Sequence, residues 1–430
     1  MPLPSTPVYV RPDQLRIGVF VCLELHWLDH NFARNSFKIK SIEQLAELRQ
    51  LGLTRIQVDP SRCDAAPLPV PPADAAGGSP VIAPAAREGD SATVINKRER
   101  ITRIVQQRED VEHCEAEFVR AATALKDINA NLFSRPAEAH QSADQLVQQM
   151  LDSILTDKDV AIHLMNDKVG GEEMYFHSLN VAVLAMMLAR EMKLPAVDIK
   201  QLGVGCLFHD IGKLNIPDRI RLKTEPHTRA ERNLMQQHTQ YGLAMAAKLG
   251  LSRGAVDVIG QHHECVDGSG YPLQLKSGAI STLARIVAIV NTYDNLCNQP
   301  NLLESLSPYE ALSQMFAQQR HQFDAGPLTT FIRCMGVYPP GTLVRLSDDT
   351  IGMVVAVNSS KPLRPSILIY DPVVPKAEAI ILDLTAEPDL TVALSLKPSQ
   401  LPREVHDYLS PRKRTTYYFD SPQDQMKSSL

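Results

Sequence analysis

LFHDIGK, residues 207–213, closes the apolar run IKQLGVGC (199–206) on adjacent imidazole and carboxylate side chains, His209 and Asp210, with Gly212 placed to terminate a helix. Neighbouring donors at a helix end can both turn toward one ion. Outward in both directions the same element recurs: apolar residues at a spacing of three to four, then a donor. Upstream, NVAVLAMMLAREM (180–192) follows Glu173 and His177, which are spaced i, i+4 so that both project from one face of a helix start. Downstream, ERNLMQQHTQYGLAMAAKLG (231–250) contains His238. The next helix ends in QHHECVDGSGYP (261–272), which sets His262 and His263 ahead of a glycine-rich loop. TLARIVAIVNTYDNL (282–296) carries Asn291 and Asp294 three residues apart. The spacing predicts an almost wholly helical core over 137–336, each helix delivering a donor.

The flanks follow other periods. VYVRPDQLRIGVFVCLEL (8–25), SIEQLAELRQLGL (41–53) and TRIQVD (54–59) read as strands, one short helix capped by Ser41, and a strand: a small α/β domain over 1–61. Six prolines, eight alanines and two glycines between Arg62 and Glu88 cannot assemble a core and predict an extended linker over 62–92. A charge-rich stretch over 93–136, with Ile101, Ile104, Val105 and Val111 on one face, reads as a long helix packed on its neighbour, a dimerising coiled coil being the alternative. Beyond Tyr338-Pro339-Pro340 short apolar runs are separated by turn residues, predicting a five-stranded β domain over 337–398. In the tail, 399–430, PRKRTTYYFD (411–420) reads as a short docking strand or an unstructured end rather than an anion-binding patch. The fold class expected is mostly α, with a small α/β domain before the bundle and a small β domain after it.

Composition excludes several functions. The 430 residues are 44% hydrophobic and 22% charged, with 44 basic against 49 acidic side chains for a formal charge of -5, so no basic excess points to DNA or RNA. No window approaches the ~18 apolar residues of a membrane span, and MPLPSTPVYV has no charged start followed by an apolar run, so a cytoplasmic protein is expected. Seven scattered cysteines without a CxxC pair fit reduced thiols.

Seven of the thirteen histidines fall between His163 and His263. A lone histidine on an apolar helix is ordinarily a hydrogen-bonded core residue, and His163, His227, His321 and His406 are read so. The series formed by Glu173, His177, His209, Asp210, His238, His262, His263 and a terminal acid is different. Imidazole and carboxylate donors without thiolate suit Fe, Mn or Zn, and their number exceeds one ion's need, implying two or more. Two ions about 3.5–4 Å apart can furnish a nucleophile at neutral pH and stabilise the charge of phosphodiester hydrolysis, with Asp210 the natural bridge.

On EEMYFH (172–177), HDIGK (209–213), His238 and HHECVDGSGYP (262–272), the chain resembles the HD-GYP domain, a branch of the HD phosphohydrolase superfamily whose members hydrolyse the bacterial second messenger cyclic di-GMP. The resemblance covers about 165–300, and the α/β leader is similar to a small domain often found ahead of HD-GYP. It implies that Glu173, His177, His209, Asp210, His238, His262 and His263 ligate two or three iron or manganese ions, with Glu173 serving a third. It implies that Lys213 contacts substrate phosphate or the leaving group, and that Gly270, Tyr271 and Pro272 form a loop used in substrate access and in contacts with GGDEF-domain partners; Asp267 and Asp294 are placed with that substrate or partner loop. Two departures stand out. The family's ligand aspartate is replaced by Asn291, whose neutral amide binds a divalent ion more weakly. The basic segment that follows in the family is missing, since 286–319 holds neither Lys nor Arg, which leaves Lys213, Arg219 or Lys223 to grip phosphate.

The expected function is a metal-dependent phosphodiesterase opening cyclic di-GMP to pGpG, or on to GMP, with Asp210 and Lys213 catalytic. Two alternatives are a weakly active or inactive module that binds cyclic di-GMP or a GGDEF partner, and an HD-type phosphohydrolase acting on another nucleotide.

Overall fold

The computed structural model describes residues 8–25, 32, 35–69, 112–156, 161–165, 173–299, 301, 304–358, 360–372, 374–376, 379–410 and 415–420. Two compact units divide it: Met1–Arg108 with Arg345–Gly352 and Leu368–Leu382, and Glu109–Val344 with Met353–Ile367 and Asp383–Leu430.

In the first unit, β1 (Val8–Val10), β2 (Phe20–Cys22), β3 (Ser36–Lys38) and β4 (Ile56–Val58) form an antiparallel sheet of order β1-β4-β2-β3. Helix α1 (Ile42–Gln50) starts where Ser41 accepts from Gln44 N at 3.3 Å, the cap expected from sequence. Alternation along the strands sends Val19, Val21, Ile39, Ile56 and Val58 into one core with Leu15 and Leu48. The chain does not leave this fold at Arg62. Asp64 N and Ala65 N donate to Gly18 O, and Leu68 N donates to Gln14 O at 2.8 Å, so the first residues of the expected linker are hydrogen-bonded onto the domain. Gly18 accepts two donors there with φ +91°, a conformation that favours glycine. The rest of that linker from residue 70, and the charged helix before residue 112, lie outside the described residues.

In the second unit residues 112–131 are helical (α2). There follow α3 (Pro136–Thr156), strand β5 (Ala161–Leu164), α4 (Glu173–Glu191), α5 (Ala196–Phe208), a 3-10 turn over Ile211–Asn215, α6 (Asp218–Arg221), α7 (Arg229–Gln236), α8 (His238–Leu249), α9 (Arg253–Gln261), α10 (Thr282–Cys297), α11 (Pro308–Gln318) and α12 (Ala325–Met335). Helix α4 is central. Residues 181–189 are apolar all round and all buried, as a helix surrounded by others requires, and it packs on α3, α5, α10 and α12. Helix α5 lies between α4 and α9, and α8 packs on the 3-10 turn and α9. Among the described residues no helix is long and apolar enough to cross a membrane.

Within the stretch read as almost wholly helical, residues 161–164 form a strand instead. Their short apolar pattern is compatible with either state, and pairing decides it: β5 is flanked antiparallel by β7 (Ile351–Asn358), with Ile162 opposite Val357, and by β11 (Tyr417–Asp420), with Leu164 opposite Tyr417. With β6 (Leu343–Leu346) and β10 (Val392–Leu396) the order is β10-β6-β7-β5-β11; β8 (Ser366–Ile369) and β9 (Ile381–Asp383) extend the sheet from β7. Within the tail, Tyr417–Asp420 is therefore a docked strand.

Its anchor is a buried pair of phenols. Tyr293 and Tyr417 are both fully buried, the Tyr293 hydroxyl lies 2.7 Å from that of Tyr417, and Tyr417 donates onward to Pro340 O at 3.2 Å. Tyr417→Phe breaks this chain and removes a partner of the Tyr293 hydroxyl, so unfolding free energy is expected to fall by about 1–3 kcal/mol. Denaturant unfolding at unchanged m-value measures it.

Candidate metal centre

Helix ends bring the donors together. His209 caps the C-terminus of α5, and Asp210, at φ −99° and ψ 5°, starts the 3-10 turn that swings the carboxylate inward. His238 opens α8, His262 caps the C-terminus of α9, and His177 sits one turn into α4. Gly212 has a different role from the helix terminator expected: a Cβ there would lie 1.9 Å from His238 O and 2.5 Å from Gly242 N. Only a glycine lets the 3-10 backbone press against α8, which is how Asp210 reaches His238.

Asp210 is 3% exposed and stands between two sets of imidazoles. Oδ2 lies 3.4 Å from His209 Nε2 and 3.6 Å from His177 Nε2. Oδ1 lies 3.4 Å from His238 Nε2 and 3.8 Å from His262 Nε2, and although buried it has no hydrogen-bond partner. Two ligand groups result, His177–His209–Asp210 and Asp210–His238–His262–His263, sharing that one carboxylate.

The other ring nitrogens fix the tautomers. Nδ1 of His209 donates to Cys206 O at 2.7 Å, that of His238 to Met235 O at 2.7 Å, and that of His262 to Ile259 O at 3.0 Å. His177 Nδ1 donates to Asp294 Oδ2 at 2.5 Å. Each ring thus presents a bare Nε2. These lone pairs face one another at 3.2 Å in His177–His209 and again in His238–His262. Facing acceptors in a buried site call for a proton or a cation between them. Burial opposes the proton, pushing His238 down to about 4 and His209 and His263 well below the ordinary imidazole range. For Asp210 burial alone would favour the neutral acid, but the Lys213 ammonium, whose Nζ is 2.6 Å from Oδ2, is the foremost influence holding the carboxyl well below its ordinary range. An anionic carboxylate among imidazoles is a donor set that fits divalent cations.

The structure brings His177, His209, Asp210, Lys213, His238, His262 and His263 together in one cluster. Glu173 opens α4, but its side chain is outside the described residues. Asn291 is buried on α10 with its amide oxygen accepting from Asn295 Nδ2 at 3.0 Å. Asp294 is no loop residue: it is 1% exposed on α10 and is the carboxylate of that helix that meets the cluster, through His177. In the loop, Tyr271 stacks on His263 with ring centres 4.5 Å apart, and burial raises its phenol above the ordinary range. Gly270 is pressed on the backbone of 263–265, where a Cβ would lie 2.4 Å from His263 O; Pro272 follows through a cis peptide. Asp267 lies away from the cluster, accepting from Ser269 N at 2.9 Å and lying 3.8 Å from His321. Lys223 is engaged by Glu231 at 2.7 Å and Arg219 is exposed. Of the histidines read as core, His227 is satisfied by Ile220 O at 2.8 Å, whereas His321 and His406 are at the surface.

Glu264 was hidden in the motif. It is 1% exposed and accepts from Leu273 N at 2.6 Å and Leu275 N at 2.9 Å, so a buried carboxylate next to the paired histidines pins the far side of the loop. The available signal was an acid directly after His263 and before a glycine loop that must leave backbone donors exposed.

A helical bundle with a histidine-and-aspartate centre at its helix ends defines an HD-type domain. The HD domain family matches residues 149–326; a domain of unknown function matches 9–143, and a KOW domain associated with HD domain matches 343–404. Over 360 residues the chain is 32% identical to a cyclic di-GMP phosphodiesterase of Pseudomonas aeruginosa, covering 83% of each protein. A cyclic di-GMP phosphodiesterase of Borreliella burgdorferi is 28% identical over 191 residues, 44% of this chain and 50% of its own length. A 3'3'-cGAMP-specific phosphodiesterase of Vibrio cholerae is 34% identical over 155 residues, 35% of this chain and 34% of its own length. The chain belongs to the HD-GYP family of HD-domain proteins.

Asp294→Asn removes the charge that orients His177 while keeping its shape. Divalent metal affinity is expected to drop about 10–100-fold with the fold intact, as read by chelator competition alongside circular dichroism.

Proposed function

We propose that the protein is a metal-dependent phosphodiesterase that opens cyclic di-GMP to linear pGpG, and on to GMP, in bacterial second-messenger signalling. The observation that carries this reading is the Asp210 carboxylate, one oxygen toward His177 and His209, the other toward His238 and His262. It is supported by the family relation and by the cyclic di-GMP phosphodiesterase that matches over most of both chains. His177 and His209 would hold one ion, His238, His262 and His263 a second, with Asp210 between, Glu173 available to a third, and Asn291 a neutral replacement for the family's carboxylate. Iron or manganese is the native element in this reading. When bound, the ions supply a nucleophile from water and offset charge on the phosphoryl group.

The chain's own residues do the rest. Water adds to phosphorus, the P–O3′ bond breaks, and the 3′-oxygen leaves with a proton. Lys213 neutralises that oxygen: its side chain is 29% exposed, so the ammonium stands at the open side of the cluster while tethered to Asp210. Tyr271 walls the site over His263. The protein acts in the cytoplasm, where the messenger is found.

Two observations favour the other readings. Asn291 in place of a carboxylate, with its oxygen already taken by Asn295, favours a weak enzyme or a module that binds the messenger or, through the Gly270–Pro272 loop, a GGDEF partner. The similarity to a 3'3'-cGAMP-specific enzyme favours another cyclic dinucleotide.

Protein purified anaerobically and loaded with Fe(II) or Mn(II) is expected to release pGpG from cyclic di-GMP, followed chromatographically. Lys213→Ala should slow this by about 10²-fold at unchanged metal content. Asn291→Asp should tighten metal binding. Metal and nucleotide bound without product would select the binding module, and faster turnover of 3'3'-cGAMP would select the other substrate.

A further inference from the structure

Asp294 is also the centre of a buried polar net that ties the metal site to the end of the chain. Its Oδ1 accepts from Asn180 Nδ2 on α4 and, at 2.9 Å, from Asn298 Nδ2 at the C-terminus of α10. Both amides hold, with their remaining capacity, the segment leading into β11. Asn298 Nδ2 donates to Thr415 O at 2.8 Å and Asn298 Oδ1 accepts from Thr415 N at 2.7 Å. Asn180 Oδ1 accepts from Tyr417 N at 2.7 Å.

Asn180 is 2% exposed, Asp294 1% and Thr415 7%, so water is a poor substitute for these partners. A primary amide has two donors and one acceptor oxygen, and in both asparagines each kind is used: a donor toward Asp294, the oxygen toward the tail backbone. Swinging either amide to recover a lost tail contact therefore takes a donor away from the Asp294 carboxylate. The tail and the carboxylate are held by the same rigid groups.

We propose that Thr415–Tyr417 is a working part of the metal centre: by fixing Asn180 and Asn298 it fixes Asp294, and hence the ring of His177, so that docking of the C-terminal strand and metal affinity are coupled. Asn180 and Asn298 are positioning residues in this scheme. It rests on the reading of His177 as a ligand. Coupling in binding free energy is reciprocal, so metal tightens the tail to the degree that the tail tightens metal.

The test titrates the full chain with Mn(II). Asn298→Ala is expected to weaken Mn(II) binding about tenfold, in the range of outer-sphere partners of metal-bound imidazoles. If it acts through Asp294, the variant carrying both Asn298→Ala and Asp294→Asn binds no more weakly than Asp294→Asn alone, a non-additivity that general loosening of the fold would not produce. A second measurement needs no substitution: amide hydrogen exchange at Thr415 and Tyr417 in the unaltered protein should slow about tenfold on Mn(II) saturation, reporting the same coupling. Unaltered Mn(II) affinity in Asn298→Ala, with Asp294→Asn impaired, would overturn the inference alone, as would exchange at these amides indifferent to Mn(II). Failure of the unaltered protein to bind Mn(II), or any other divalent ion, would instead overturn the metal reading on which it rests.

Discussion

The structure depends on a buried carboxylate, Asp210, placed between two pairs of imidazoles. Asp210 faces His177 and His209 with one oxygen and His238 and His262 with the other. Burying that charge is costly without compensation, and Lys213 alone reaches only Oδ2. Oδ1 has no hydrogen-bond donor, and pairs of bare Nε2 atoms face each other at 3.2 Å. A shell of lone pairs around an anion is electrostatically consistent only with cations among them, and the same burial that makes protons poor cations here leaves metal ions as the good ones.

Much of the surrounding architecture serves that arrangement. Backbone carbonyls at Cys206, Met235 and Ile259 hold three of the rings by Nδ1, so the helix termini themselves dictate which nitrogen is free. Gly212 lets the turn carrying Asp210 touch α8. Glu264 ties down the loop whose Tyr271 covers His263. Of the four rings held through Nδ1, His177 takes its orientation from a side chain, Asp294, and that exception is what opens the centre to influence from the C-terminal strand.

The sequence made legible the parts in which donor and scaffold are adjacent along the chain. His209 with Asp210, His262 with His263, and the i, i+4 step to His177 each place a donor relative to a helix end, and the helical period did the rest. Where partners lie far apart, sequence pattern fell short. Asn291 and Asp294 are neighbours on one side of α10, and only packing against α4 decides that Asp294 reaches His177. Residues 161–164 fit a helix or a strand until β7 and β11 flank them. Composition marked an extended segment from Arg62, yet backbone bonds from Asp64, Ala65 and Leu68 hold its start on the first unit, because a proline-rich stretch still has donors at its other residues.

In the proposed centre two ions share the Asp210 carboxylate, so neither site is independent of the other. Metal content per chain, determined on unaltered protein and on Asp210→Ala after the same anaerobic loading and removal of free ions, tests it most directly. Two or more ions are expected in the unaltered protein, with both sites lost together in the variant. A variant that still holds two ions, or an unaltered protein that holds none, would contradict it.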